Sequence, residues 1–366
     1  MVRVLYDNSL ARNPAGTGTF VRGLQSALQR RADVTLVLPS SPFATAAELN
    51  VAGKRASGRL ASATRHLRYY VLDLPATARR ERCNAIFCPT SLGPLRGRTP
   101  SFITLFDLSP LTYSRTLDRI SGFYIRAMLL AGVRRAKGIC TISQAVATEI
   151  RQRFPGLDAV AVAYPGPNPG LIEATPDRVD LPESPYLLMV GTLEPRKNHL
   201  TVLRAFADHL RRRAGSALQL VLAGSAGWRY GPVLRAIDNL ALGSRVVRPG
   251  DVTPGQLRWL YEHAQALLFP SIYEGFGLPV LEAFALGCPV IAARIPSVLE
   301  ITTDSAAILL DPLDVAGWAD AIDRVEARSI PRGAMVEAGR RRAERFTWTE
   351  CAASVARLIG AADGES

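Results

Sequence analysis

Residues 274–289 read Glu-Gly-Phe-Gly-Leu-Pro-Val-Leu-Glu-Ala-Phe-Ala-Leu-Gly-Cys-Pro, and they predict a loop followed by a helix. The apolar run Ala266 to Pro270 just before them is typical of a buried strand. Pro279 suits the first position of the helix, which should run to about Leu286 because Gly287 favours a helix end. A strand, a glycine-containing loop and a helix in succession form the repeating unit of parallel α/β sheets.

Two carboxylates bracket this loop and the start of the helix. Glu274 lies on the loop, and Glu282 lies near the first turn. The backbone amides of Phe276, Gly277 and Leu278 should point out of the helix N-terminus, where an anionic group is favoured. A helical span of eight residues is about 12 Å long, so a sugar, a diphosphate and a ribose would fit between the carboxylates. On spacing alone, glutamates that are merely solvated or capping explain the pattern equally well.

The rest of the chain alternates apolar runs with helical patterns, which indicates parallel sheets with helices on both faces. Strands are predicted at Val2–Tyr6, Val34–Pro39, Ala85–Cys88, Ser101–Leu105, Gly138–Ile142, Tyr186–Val190, Leu218–Ala223 and Arg245–Arg248. Helices are predicted at Thr19–Gln29, Leu200–Arg211, Pro232–Leu240, Pro254–His263 and Trp348–Ile359. A length of 366 residues is enough for two domains, and the proline-rich stretch Pro165 to Pro185 is the best linker candidate.

Charge is unevenly distributed along the chain. Residues 1–170 contain 23 Lys and Arg against 9 Asp and Glu, a net charge of +14, whereas the remainder carries −2. A basic half predicts either a polyanionic neighbour or simply a solubilising, Arg-rich surface. No zinc-finger spacing, RNP-type aromatic motif or evident helix-turn-helix accompanies the charge, which argues against nucleic acid and leaves an anionic membrane as the polyanionic partner.

Residues 45–82 concentrate this positive charge. Arginine and lysine residues alternate there with Leu60, Leu67, Tyr69, Tyr70 and Leu72. A basic, partly amphipathic segment of this kind could lie on a membrane interface. Membrane binding that resists salt would indicate apolar insertion by Tyr69, Tyr70 and their neighbours. A solvated helix pair is an equally good interpretation.

The apolar runs, the N-terminal residues and the cysteine pattern bear on the cellular compartment and on metal binding. No apolar run reaches the roughly 18 residues that a membrane span requires, and the N-terminus becomes acidic too early for a signal peptide. Five scattered cysteines, with neither a Cys-x-x-Cys pair nor a histidine cluster, predict structural thiols, no metal site and a reducing cytoplasm.

Two further glycine-containing loops follow predicted strands. Gly16-Thr-Gly18 opens the first helix, but Val21 stands where a dinucleotide fingerprint requires its third glycine. Either a tight turn or a close approach to a ligand explains these glycines. The stretch Gly191-Thr-Leu-Glu-Pro-Arg-Lys-Asn198 places Arg196 and Lys197 at the carboxyl edge of a predicted sheet, where a cationic pair can neutralise a diphosphate. Its last residue, Asn198, can cap the helix that follows.

Together these motifs resemble glycosyltransferase family 4, whose members are retaining enzymes with the GT-B fold. The resemblance rests first on the Glu-x7-Glu spacing of Glu274 and Glu282 and on Gly-x-Leu-x-x-x-Lys ending at Lys197. Looser matches occur at Thr104–Leu108, Ile142–Ala145, Tyr164–Gly166, Gly224–Trp228 and Phe346–Trp348. The match is strong after residue 186 and loose before it.

The family fold implies two Rossmann-like domains that face each other across a cleft. Residues 1–170 would form the acceptor domain and residues 171–345 the nucleotide-sugar domain. Residues 346–366 would form a helix that packs back on the N-terminal domain.

The resemblance also implies transfer of a hexose from a nucleotide-diphosphate sugar to a glycan or lipid-linked glycan in cell-surface polysaccharide synthesis. GDP-mannose is the leading donor, no separate cofactor is needed, and no Asp-x-Asp motif is present to clamp a metal. Gly16, Gly18, Gly224 and the amides of residues 276–278 would approach the donor. Arg196 and Lys197 would hold the diphosphate, Glu274 the sugar hydroxyls and Glu282 the ribose.

One departure from the family pattern concerns the segment Thr104-Leu-Phe-Asp107-Leu. The family places a histidine beside the sugar where this chain has Phe106. Either the histidine is dispensable, or Asp107 or a peptide carbonyl takes part of its role, or activity is altered. A catalytically weakened sugar-nucleotide-binding or scaffold protein, and a GT-B sugar-nucleotide epimerase, remain alternatives. The expected location is the cytoplasm, at the inner face of the cell membrane.

Overall fold

The structure is a computed structural model that describes residues 1–13, 15–39, 64–112, 119–157, 159–181, 183–227 and 229–363. Internal contacts divide the chain into two units, Met1–Gly166 with Thr347–Ser366, and Pro167–Phe346. The sequence places the corresponding boundaries after residues 170 and 345.

The first unit is built on a parallel sheet of six strands in the order β2-β1-β3-β4-β5-β6. These are β1 (Val2–Tyr6), β2 (Val34–Val37), β3 (Ala85–Cys88), β4 (Ser101–Leu105), β5 (Gly138–Thr141) and β6 (Val160–Val162). The first five strands confirm the sequence prediction, with small differences at the ends of β2 and β5. The prediction missed β6 because an apolar run of three residues is too short to distinguish a strand from a loop.

Helices pack on this sheet. They are α1 (Gly16–Gln29), α2 (Leu74–Arg80), α3 (Ser109–Thr112), α4 (Arg119–Arg135) and α5 (Gln144–Arg153). Helix α1 begins at Gly16 and not near Thr19, so Gly16 and Gly18 form its first turn instead of a preceding loop. A Cβ at Gly18 would lie 1.9 Å from the Asn13 carbonyl oxygen, and Arg22 donates a hydrogen bond to that oxygen. Close packing of the turn therefore explains Gly18 without a ligand.

The described part of the basic segment, residues 64–82, is partly in the core; residues 45–63 lie outside the described residues. A π-helical turn, Tyr69–Asp73, leads directly into α2. The side chains of Tyr69 and Tyr70 are buried, and each hydroxyl donates a hydrogen bond of 3.0 Å to Asp7. Burial of these tyrosines argues against their insertion into a membrane, whereas Leu67 and Leu72 on the same segment are exposed.

Within the described ranges, every helix is too short or too polar to span a bilayer.

The second unit repeats the plan with six parallel strands in the order β12-β11-β10-β7-β8-β9. These are β7 (Tyr186–Val190), β8 (Gln219–Ala223), β9 (Val246–Gly250), β10 (Ala266–Phe269), β11 (Val290–Ala293) and β12 (Ala307–Leu310). The four strands expected from the sequence, β7 to β10, are confirmed. Because β10 pairs directly with β7, the loops that follow these two strands leave the same edge of the sheet side by side.

The helices of this unit are α6 (Pro169–Ile172), α7 (His199–Arg212), α8 (Gly231–Asn239), α9 (Pro254–His263), α10 (Leu278–Ala285), α11 (Pro296–Ile301), α12 (Val315–Glu326) and α13 (Arg332–Ala343). Helix α9 has the predicted bounds because a capping box from Thr253 to Gln256 fixes its start. Helix α6 lies in the predicted linker and packs on α9, so most of that stretch belongs to the second unit.

The C-terminal helix, α14 (Trp348–Asp363), packs on α1 and on strands β5 and β6 of the first unit. Gly23 allows the close contact, since a Cβ there would lie 2.4 Å from the Trp348 ring. The ring of Phe20 meets Trp348 edge-on at 5.9 Å. The helix therefore returns to the N-terminal unit, as the GT-B expectation requires.

Candidate functional site

The loops after β7 and β10 bring together three of the residues singled out from the sequence. Arg196 and Lys197 lie on a 3₁₀ turn, Pro195–Lys197, which follows β7. Glu274 lies on the loop between β10 and α10. Lys197 Nζ contacts Glu274 Oε1 at 2.5 Å, and Arg196 Nη1 donates to Glu274 Oε2 at 2.6 Å. One carboxylate therefore binds both cations.

Burial and ion pairing act on Glu274 in opposite directions. Burial raises the pKa of this carboxyl group, but Lys197 and Arg196 more than offset that effect and bring the pKa to about 2. The side chain of Glu274 is only 9% exposed, so water screens these ion pairs weakly. Glu274 is therefore a permanent anion at any physiological pH.

A fourth charged residue, Glu194, extends this cluster. Its Oε1 lies 2.6 Å from Arg196 Nε, and its side chain is 12% exposed. Glu194, Arg196, Glu274 and Lys197, called here the ion network, carry two positive and two negative charges. Sequence reasoning missed Glu194, although its position in the Glu-Pro-Arg-Lys stretch was the available signal. The network is electrically balanced before any ligand arrives.

Asn198 anchors the loop that carries the two cations. Its backbone is left-handed, with φ of 55°, and its Nδ2 donates to the carbonyl oxygens of Pro270 and Pro312 at 3.1 and 2.6 Å. The prediction that its side chain caps α7 is wrong: the helix starts at the next residue, but the Asn198 amide group joins three loops and caps no backbone N–H of the helix. The basic loop is thus tied to the loop after β10, which carries Glu274.

Two glycines shape the neighbouring loops after β7 and β8. Gly191 and Gly224 have φ of 131° and 145°, values that favour glycine. A Cβ at Gly224 would lie 2.4 Å from the Gly191 carbonyl oxygen. The structure therefore places Gly224 beside the basic loop and gives it a packing reason; its role toward a donor stays a prediction.

The start of α10 lies next in the chain after Glu274. Gly277 is the residue before the helix, with φ of 122°, and no side chain caps the helix there. The side chain of Phe276 is buried and meets the Phe346 ring at 5.6 Å, so only its backbone is suited to a ligand. The first helical residues, Leu278 and Pro279, place the helix start one residue earlier than predicted.

Glu282 lies in the second turn of α10, deeper than the sequence predicted. The residue is 7% exposed, and its Oε2 accepts a hydrogen bond from the Tyr261 hydroxyl at 3.1 Å. Burial raises the pKa of Glu282 to about 7, while the Tyr261 hydrogen bond acts in the opposite direction. This second carboxylate therefore changes its charge near neutral pH, unlike Glu274.

The remaining predicted residues lie in the first unit. Asp107 Oδ1 accepts hydrogen bonds from the backbone N and the Oγ of Ser109 at 2.9 and 2.6 Å, which fastens the turn that leads into the short helix α3. Phe106 packs edge-on against Phe20 at 5.2 Å. Asp107 therefore has a structural function that its sequence position did not reveal, and its catalytic role stays a prediction.

A buried acidic group at the end of β1 was also missed. Asp7 is fully buried and accepts hydrogen bonds from the backbone N of Ser9 and from the hydroxyls of Tyr69 and Tyr70. Burial raises the pKa of Asp7, and these hydrogen bonds lower it in part. A carboxylate directly after a buried strand was the available signal. Its contacts fasten the π-helical turn to the sheet.

In the part of the chain that the structure describes, no cluster of three or more His, Cys, Asp and Glu side chains could hold a metal ion.

Comparison with known families covers almost the whole chain. The family model described as Glycosyltransferase Family 4 matches residues 14–170, and the one described as Glycosyl transferases group 1 matches residues 173–342. The chain belongs to glycosyltransferase family 4. This membership agrees with the motifs that bring Glu274, Arg196 and Lys197 together.

Two curated relatives are mannosyltransferases by name. The O-antigen chain mannosyltransferase B of Escherichia coli is 33% identical over 170 residues, which are 45% of this chain and 43% of that protein. The O-antigen chain mannosyltransferase RfbU of Salmonella typhimurium is 29% identical over 233 residues, which are 63% of this chain and 62% of that protein. The chain thus spans about half the length of the curated relatives it matches.

Solved structures confirm the GT-B fold. Sucrose-phosphate synthase from Thermosynechococcus elongatus aligns over 100% of both chains with a TM-score of 0.76 and 18% identity. Anabaena Alr3699/HepE, solved in complex with UDP-glucose, aligns over 99% of this chain and 100% of its own with a TM-score of 0.71 and 18% identity.

Proposed function

We propose that the protein is a retaining glycosyltransferase that moves a hexose from a nucleotide-diphosphate sugar to a glycan or lipid-linked glycan during cell-surface polysaccharide synthesis. The observation that carries this proposal is the buried contact of Glu274 with both Lys197 and Arg196, at 2.5 and 2.6 Å. The contact places a carboxylate, a group suited to sugar hydroxyls, beside two cations suited to phosphates, at the carboxyl edge of a parallel sheet where such folds bind nucleotides.

The two cations are suited to the leaving group. In the transfer, the bond between the anomeric carbon and the diphosphate oxygen breaks, and the acceptor oxygen forms a new bond to the same carbon. The acceptor proton passes to the departing phosphate oxygen, on the face from which the diphosphate leaves. Arg196 and Lys197 stabilise the negative charge that develops on the diphosphate, an effect that is strong in a site shielded from water.

The two glutamates are suited to the two sugars of the donor. Glu274 stays ionised and can accept hydrogen bonds from the hydroxyls of a hexose. Glu282, eight residues further along, would accept hydrogen bonds from the ribose. GDP-mannose is the proposed donor because the two relatives compared above are named mannosyltransferases.

The proposed transfer needs no metal ion, since Arg196 and Lys197 supply the positive charge that a divalent cation supplies in other sites. Transfer should therefore continue in excess EDTA. Loss of activity on chelation, restored by Mg²⁺ or Mn²⁺, would contradict this part of the proposal.

We also propose that the protein works in the cytoplasm at the inner face of the membrane. The net charge of +14 on residues 1–170 supports attraction to anionic lipids. Exposed Leu67 and Leu72 beside exposed Arg65 and Arg68 could reach the lipid interface.

The test begins with a thermal-shift screen over GDP-, UDP- and dTDP-sugars, followed by incubation of the stabilising donor with and without a glycan acceptor. Release of nucleoside diphosphate that depends on acceptor supports transfer. Donor conversion without acceptor would indicate an epimerase. Binding without any turnover would favour a sugar-nucleotide-binding protein, an outcome that Phe106 at the family's histidine position makes worth testing.

Single substitutions test whether transfer depends on the cations of the ion network. Arg196→Ala should remove most turnover. Arg212→Ala is the matched control, because Arg212 lies at the opposite end of α7, about 20 Å along the helix axis, in an exposed pair with Asp320.

A further inference from the structure

Tyr261 is a buried residue of α9 that touches one of the two glutamates of the Glu-x7-Glu motif. Its side chain is 0% exposed, and its hydroxyl donates to Glu282 Oε2 at 3.1 Å. The two residues lie 21 positions apart on different helices, so the contact is tertiary. The sequence motif names the glutamate but gives no indication of this partner.

We propose that Tyr261 is a positioning residue that holds the Glu282 carboxylate as an acceptor for the ribose hydroxyls of the donor. This inference rests on the proposed function, because it takes Glu282 to be the ribose ligand. A carboxylate has two oxygens, and a donor fixed on Oε2 leaves Oε1 to accept from the vicinal hydroxyls of a ribose. Tyr261 would act through Glu282 and would not touch the nucleotide itself.

The electrostatic surroundings support this role. Burial raises the pKa of Glu282 to about 7, and the Tyr261 hydrogen bond is the opposing influence. A hydrogen bond donated to the charged form of a carboxyl group favours that form. Tyr261 itself stays a neutral donor, because burial and the neighbouring Glu282 raise its pKa.

Other titratable groups on the elements packed around α10 do not replace Tyr261. The Cys288 thiol, just after α10, has a pKa raised to about 12 by burial and is neutral. On α9, Arg258 pairs with Glu262. On α13, Arg332 donates to the carbonyl oxygens of Ala264 and Gln265, and Arg342 donates to those of Glu300 and Ile301. The other charged groups on α11 and α13 include Glu300 and Arg340, and Arg340 lies beside Gly287.

The charge of Glu282 determines how affinity for a ribonucleotide should change with pH. Below about pH 7 Glu282 carries a proton and accepts hydrogen bonds poorly, so the affinity for a ribonucleotide should rise as the pH increases through this value. Tyr261→Phe removes the donor that favours the carboxylate. The rise should therefore move to higher pH, and affinity at pH 7 should fall about tenfold, the size expected for one hydrogen bond to a charged group.

The experiment measures the dissociation constants of GDP and of 2′,3′-dideoxy-GDP by titration calorimetry, from about pH 6 to about pH 9, with UDP and its dideoxy analogue as a second pair. Each analogue carries the same phosphates as its parent, so phosphate titration cancels in the ratio of the two constants. Tyr261→Phe should lower the preference for the ribonucleotide and shift its pH profile, while leaving the dideoxy analogue unchanged.

Tyr186→Phe is the matched control. Tyr186 is also buried, and its hydroxyl donates to the Leu260 carbonyl oxygen of the same helix at 2.9 Å without touching Glu282. The control should keep the wild-type preference and pH profile. Melting temperatures of both variants show whether either substitution disturbs the fold.

The outcomes separate the two proposals. If Tyr261→Phe weakens both nucleotides of a pair equally, or leaves the ratio and its pH profile unchanged, the positioning role is overturned while nucleotide binding stands. If the wild-type protein binds neither pair, the proposed function fails and the positioning role fails with it. Loss of ribose preference in Tyr186→Phe to the same extent would also overturn the assignment to Tyr261.

Discussion

Replacing Glu274 by glutamine should strengthen the binding of free nucleoside diphosphate while removing sugar transfer. Without a ligand, this carboxylate neutralises Lys197 and Arg196 at 2.5 and 2.6 Å. A diphosphate that binds the same cations must compete with it. Glutamine has the same shape but no charge, so the competition disappears.

The size of the effect can be worked out from the charge state of Glu274. Its pKa is about 2 instead of the ordinary 4.5, after the opposing effect of burial has been overcome. One pKa unit corresponds to about 1.4 kcal/mol, so the surroundings stabilise this charge by about 3 kcal/mol. Glu194 still pairs with Arg196 in the variant, so only part of this energy becomes available to a ligand. We expect affinity for GDP to rise between about tenfold and about a hundredfold.

Equilibrium titration with GDP measures this gain, and acceptor-dependent release of GDP from GDP-mannose measures the loss of transfer. Glu337→Gln is the control, because it removes a carboxylate from an exposed ion pair with Arg341. Weaker or unchanged GDP binding in Glu274→Gln, with the control at wild-type affinity, would refute the idea that Glu274 competes with the diphosphate.

Three other predictions concern the same network and the basic half. Lys197→Ala should abolish most transfer in saturating donor, whereas Lys137→Ala, at an exposed position of the first unit, should not; turnover near wild type in the first variant would contradict the diphosphate role. The folded-state pKa of Glu274 is lowered, so its contribution of up to about 3 kcal/mol is present above pH 4.5 and is lost as the pH falls toward 2. Urea unfolding should therefore separate wild type from Glu274→Gln more at pH 7 than at pH 3, and an equal separation would speak against the ion pairs. Anionic vesicles should sediment the protein at low salt and release it at high salt, since each nearby Lys or Arg contributes about 1 kcal/mol; equal recovery in the supernatant at every salt concentration would leave the charge without a membrane role.

The fold was largely predictable because each strand and helix has a local cause. Short, mainly apolar runs predicted β1, β3, β4 and β7, and the structure shows a local cause for the start of α9 in the capping box at Thr253. The order of strands across a sheet has no local cause in the sequence. The pairing of β7 with β10, which joins the loop of Lys197 to the loop of Glu274, was not predicted; the family resemblance only assigned both residues to the same donor.

The failures have physical reasons of their own. Tyr69 and Tyr70 stand among arginines, which suggests an exposed amphipathic face. The π-helical turn Tyr69–Asp73 alters the helical period there, and Asp7, some 60 residues earlier in the chain, supplies the acceptor that makes burial of their hydroxyls favourable. The sequence also assigned Asn198 to the adjacent helix, because a sequence pattern reveals only partners that are close along the chain. In the structure its amide donates to the carbonyl oxygens of Pro270 and Pro312, which are more than 70 residues away.

The two glutamates of the Glu-x7-Glu motif are chemically alike in sequence and different in the structure. Two cations keep Glu274 ionised with a pKa of about 2, whereas burial raises the pKa of Glu282 to about 7 and the Tyr261 hydroxyl donates a hydrogen bond to it. A group that is always charged suits a site where positive charge must be held in place for the diphosphate. On the proposed role of Glu282 at the ribose, a pKa near neutrality means that this group need not remain a buried anion when the nucleotide departs. The eight-residue spacing brings two glutamates to this part of the chain, and their different partners, on the turn after β7 and on α9, give the two carboxyl groups different pKa values.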